Sequence, residues 1–185
     1  MALEGSFREL SLRLEALRDG FVEFRTTALD KPVEGDVVLV DLLGDAADDL
    51  LGWVEEAMEA CAQARQALAY PTDLDRARRA LITCQKKFNL AVYRFSSDLL
   101  VYERMAELTS LGEERKGEWL VWANNVKGAL ELSRQPFYES NEALFLCWQE
   151  LAERIGVGSV SVQATNIGQQ IKVPSAAEAA REGVT

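Results

Sequence analysis

Apolar residues recur along most of this chain in alternating steps of four and three, the rhythm of a helix that buries one narrow face. Leu3, Phe7, Leu10, Leu14, Leu17, Phe21 and Phe24 keep that rhythm without interruption and predict a first helix over Leu3–Ala28. Ser11, Arg13 and Arg18 flank the seam, so its buried stripe is thin and leaves room for a second chain. Pro32 and Gly35 then mark a linker.

The same spacing returns in Leu43, Ala47, Leu50, Val54, Ala57, Cys61, Ala64 and Leu68, predicting a second helix from an Asp36 cap to Tyr70. Its flanks are apolar as well (Ala46, Leu51, Trp53, Met58), and a wide stripe implies more than one neighbour. Val37-Val-Leu-Val40 at its start also suits a strand. Pro71 ends the helix, and Thr72 with Asp75 has the spacing of a capping box for a third helix reaching Leu108. Leu74, Ala77, Leu81, Cys84, Phe88, Ala91 and Phe95 carry that helix's seam. So short a turn makes helices 2 and 3 antiparallel neighbours, placing Lys86 and Lys87 beside Glu55 and Glu56.

Ser110 and Glu113 suggest another capping box, opening a fourth helix over Glu113–Ser133 with Trp119, Trp122, Val126 and Ala129 inside. Pro136 interrupts the pattern. A fifth helix is expected over Asn141–Ile155, with Leu144, Trp148, Leu151 and Ile155 inward and Gly156 as its C-terminal cap. The predicted fold is therefore all-α: an antiparallel bundle of about five helices over 1–156, built on a long central hairpin of helices 2 and 3. An irregular tail over 157–185 completes it.

That tail changes the picture. From Gly156 to Gln170 it carries no charge, and Val160, Val162, Ile167 and Ile171 alternate with Ser, Gln, Thr and Asn. Such a segment either lies on its own bundle or pairs with a partner. Trp53, at the edge of a wide stripe, is a second candidate partner anchor.

Charge excludes some partners. A net charge of −10 opposes binding to nucleic-acid phosphates, and eight acids with no base lie between Asp36 and Glu59. These acids follow a helix rather than a glycine-turned loop, so a solvated face is expected in place of a calcium site. Arg76, Arg78, Arg79, Lys86 and Lys87 likewise form an outward basic face of helix 3. No run approaches the roughly 20 apolar residues of a membrane span.

Chemistry is scarce. The chain has no histidine, which removes His-based zinc, di-iron and haem sites along with Ser-His and Cys-His catalysis. Gly156-Val-Gly158 follows a helix rather than a strand, unlike a dinucleotide loop, and no phosphate-binding G-x-x-x-x-G-K-[ST] occurs. Cys61, Cys84 and Cys147 all fall on apolar stripes, where a thiol is a small hydrophobe. Their odd number and spacing fit a reducing, cytoplasmic setting. No catalytic, cofactor or metal residue is expected. Three functions remain open at this level: a protein-interaction or scaffold module, which includes self-association; a sensor holding a ligand among Phe88, Phe95, Trp119, Trp122 and Trp148; and an enzyme using carboxylates with Tyr93 or Tyr102.

Overall fold

The computed structural model describes residues 2–30, 37–69, 71–108 and 113–156, without the side chains of 2, 37–42, 97–108, 113–116 and 119. Among the described residues five helices follow one another: α1 (Ala2–Leu29), α2 (Val37–Leu68), α3 (Leu74–Leu108), α4 (Glu113–Leu132) and α5 (Arg134–Ile155). The chain is all-α, and its helices pack against one another as a bundle. Val37-Val-Leu-Val40 belongs to α2, so the strand alternative for that segment falls.

Two expected boundaries move, each for a local reason. The cap of α3 is Asp73, not Thr72. Asp73 Oδ1 accepts the Arg76 amide at 2.8 Å, while the Thr72 hydroxyl donates back to the Leu68 carbonyl at 3.3 Å and closes the end of α2. The partner expected of Thr72, Asp75, makes no box.

The start of α5 lies at Arg134 rather than Asn141. Pro136 sits in the first turn, where its missing amide hydrogen would have had no helical acceptor. Ser133 joins α4 to α5 with helical dihedrals of its own (φ −76°, ψ −14°), so the last two helices form one interrupted rod and the bundle has four rods. At its far end Gly156 adopts the left-handed conformation (φ 75°), and its amide donates to the Glu153 carbonyl at 3.3 Å, as expected of this cap.

Ion pairs display the antiparallel register. Arg25 of α1 reaches Asp48 of α2, and Arg13 reaches Glu139 of α5. Between α2 and α3, Lys87 pairs with Glu56 and Arg94 with Asp49 at 3.7 Å. Lys87 thus sits where the short turn predicted it. All of these pairs are substantially exposed and set alignment more than stability.

The core is continuous through all five helices. The α1 seam from Leu3 to Ala28 is entirely buried. Its thin stripe leaves no vacancy, because α1 packs on α2 along one side and on α4 and α5 along the other. Helix α2 lies between α1 and α3, as its wide stripe requires. Near the α4–α5 joint the interior is aromatic. Phe137 of α5 packs against Phe95 and Phe88 of α3 and Phe21 of α1, with ring centroids 4.6, 5.8 and 5.3 Å away.

Candidate interaction surface

Helix α4 differs from its neighbours in having two seams. Trp122, Val126, Ala129 and Leu130 face inward and are buried. Gly117, Val121, Asn124, Gly128 and Leu132 follow at steps of four, three, four and four on another side of the helix, and all five are exposed. Val121 and Leu132 stand 61% and 70% exposed, and Leu120 beside them 43%. Asn125, also exposed, completes a strip with no charged side chain along about 24 Å of helix. A surface helix normally turns charge to water, as α3 does with Arg76, Arg78 and Arg79, all exposed.

The two glycines sharpen the contrast. A Cβ added at Gly117 or Gly128 would meet nothing within 4 Å. Each glycine costs the helix roughly 1 kcal/mol relative to alanine, and no packing among the described residues requires either one. They leave shallow hollows between Val121, Asn124 and Leu132.

The sequence-predicted anchors fall elsewhere. Trp53 is half-buried and packed on the core. Asp49 and Glu56, one turn to either side of it, both reach cations of α3, so that stripe of α2 faces α3. Val160, Val162, Ile167 and Ile171 lie outside the described residues. The outer seam of α4 was missed because only the inward aromatics were read there, although its spacing is visible in the sequence.

Residues with chemical potential are placed as follows. Cys61, Cys84 and Cys147 are free and buried on α2, α3 and α5. Burial pushes all three thiols up from their ordinary range, against which a hydrogen bond with Ser11 works at Cys61. The Ser11 hydroxyl and Cys61 Sγ are 3.4 Å apart. Thiols held protonated are poor nucleophiles and poor ligands. Among the described residues no group of three or more acids and thiols is spaced to hold a metal ion, and no helix is long and apolar enough to cross a membrane. Of the aromatics considered for a ligand pocket, Phe88, Phe95 and Trp122 are buried and Trp148 is half-buried. Tyr93 is 75% exposed on the outer side of α3. The side chains of Trp119 and Tyr102 are outside the described set.

Comparison with protein-family models, with curated proteins and with solved structures gives no significant match to any of them.

Proposed function

We propose that this chain is a non-enzymatic helical interaction module that docks another protein chain through the outer seam of α4. One observation carries the reading: exposed Val121 and Leu132 stand on a charge-free strip of a chain whose net charge is −10. Water gains nothing from such a strip, whereas a second apolar surface would cover it at a gain of about 25 cal/mol per Å2. The tail bearing Val160, Val162, Ile167 and Ile171 supplies a further uncharged element for the same partner. Buried free thiols suit a reducing compartment such as the cytoplasm.

The test is site-specific photocrosslinking in the cells that make the protein. A crosslinker at Val121 or Leu132 is expected to give a discrete protein adduct that a crosslinker at exposed Glu15 of α1 does not give. Equal, featureless labelling at all three positions overturns the reading.

A further inference from the structure

The outer seam of α4 is self-complementary when reversed. Written in order it runs Gly117, Val121, Asn124, Asn125, Gly128, Leu132, a small residue then a large one, two amides, and again a small one then a large one. Laid antiparallel against a copy of itself about a two-fold axis between Asn124 and Asn125, the seam places each glycine opposite a large apolar side chain. Gly117 meets Leu132 of the other copy, Gly128 meets Val121, and Asn124 meets Asn125. A two-fold interface of this kind needs only one surface patch that matches itself.

We infer that a second copy of this chain is the occupant of that seam, in an antiparallel α4–α4 pair; the inference rests on the docking role proposed above. Three physical points support the second copy. The first is size matching: an exposed leucine and valine each find a hollow that a Cβ would have filled. This allows the helix axes to approach at the short end of the usual 8–10 Å.

The second is charge. Two copies of a chain at −10 repel over most of their surfaces, and this strip is a place where they meet without opposing like charges. Glu118 and Glu131 come level in this register, but they project to opposite flanks of the seam and so do not face each other. The paired asparagines offer amide donors and acceptors across the axis, which fixes register without adding charge.

The third is area. A single helix pair over this length covers on the order of 1,000 Å2 in total, near the lower limit for specific association. The dimer is therefore a dissociable one.

Sedimentation of the purified full chain tests this directly. A concentration-dependent shift from one to two copies is expected. Val121→Arg should weaken it at least tenfold. Gly128→Leu, which fills a hollow while favouring the helix, should do the same without loss of fold as judged by helicity. Register is read by mixing Val121→Cys chains with Gly128→Cys chains under mild oxidation. The mixed disulfide should exceed either like-with-like disulfide.

A wild-type chain that stays single at several hundred micromolar overturns the inference, as does a predominance of Val121→Cys homodisulfides, which signals a parallel pair. If the wild type is single while Val121 still crosslinks to a different protein in cells, the second copy falls and the docking role stands. If neither occurs, both fall.

Discussion

Gly20 of α1 lies directly against Ser133, the residue that joins α4 to α5. A Cβ built on Gly20 would sit 2.7 Å from Ser133 Oγ and 3.5 Å from its Cα. Ser133 is fully buried, and its hydroxyl makes no hydrogen bond among the described residues. The backbone of α1 is thereby brought against the one break in the last rod.

This contact makes Gly20→Ala destabilising despite alanine's better helix propensity. Overpacking here outweighs the roughly 1 kcal/mol gained along the helix, for a net loss of about 1–2 kcal/mol in urea unfolding. Ser133→Ala removes an unpaired buried hydroxyl and should leave stability unchanged or slightly higher. Combined, the two should recover most of the loss, a coupling that a double-mutant cycle would reveal. Strict additivity would place the cost of Gly20→Ala somewhere other than Ser133.

Phe137 draws three helices together, since its ring meets Phe21, Phe88 and Phe95. Truncation to alanine is expected to cost about 3–5 kcal/mol, and replacement by leucine distinctly less, measured by the urea midpoint. A cost under about 1 kcal/mol for Phe137→Ala would mean that these rings do not hold α5 to α1 and α3.

Gly117 and Gly128 should behave in the opposite way to Gly20. Either changed to alanine gains roughly 1 kcal/mol of helix propensity and meets no neighbour among the described residues. Thermal unfolding at low concentration should therefore move upward for both variants. The same denaturation at Gly20 moves downward, so one substitution read at three sites separates exposed from packed glycine.

The thiols give a pH signature. Cys61, Cys84 and Cys147 are held protonated by burial in the folded chain, whereas unfolded cysteine ionises near pH 8.5. Their contribution to stability is thus fully present below about pH 8.5 and is lost as pH rises toward the raised folded values. The urea midpoint should fall between pH 8 and pH 10, and Cys84→Ala should flatten that fall. A thiol reagent at pH 8 should leave the native chain unmodified and react with all three cysteines in urea. Rapid labelling of the native chain would show that a thiol is accessible.

Much of the architecture was legible because heptad spacing is a local property of the chain. The seams of α1, α2 and α3 lie where the oily positions put them, from Leu3 to Ala28, Leu43 to Ala64 and Ala77 to Phe95. Lys87 reached Glu56 for the same reason: a short turn leaves two rods only one register. Proline was harder to read. Pro136 looks like a breaker in sequence, and the rod is interrupted just before it at Ser133, yet the proline itself lies in the first turn of α5, and only the position of that helix start shows it.

The candidate surface marks the boundary between the two kinds of information. By itself the sequence determined that these segments are helices, which of their positions want to be buried, and that histidine chemistry is absent. Tertiary structure alone showed that, among the described residues, nothing covers the second stripe of α4. It also decided that α1's thin seam had neighbours on both sides and that Gly20 was needed against Ser133. Periodicity tells a side chain which face of its own helix it shares; what stands opposite that face depends on how many rods pack and in what order.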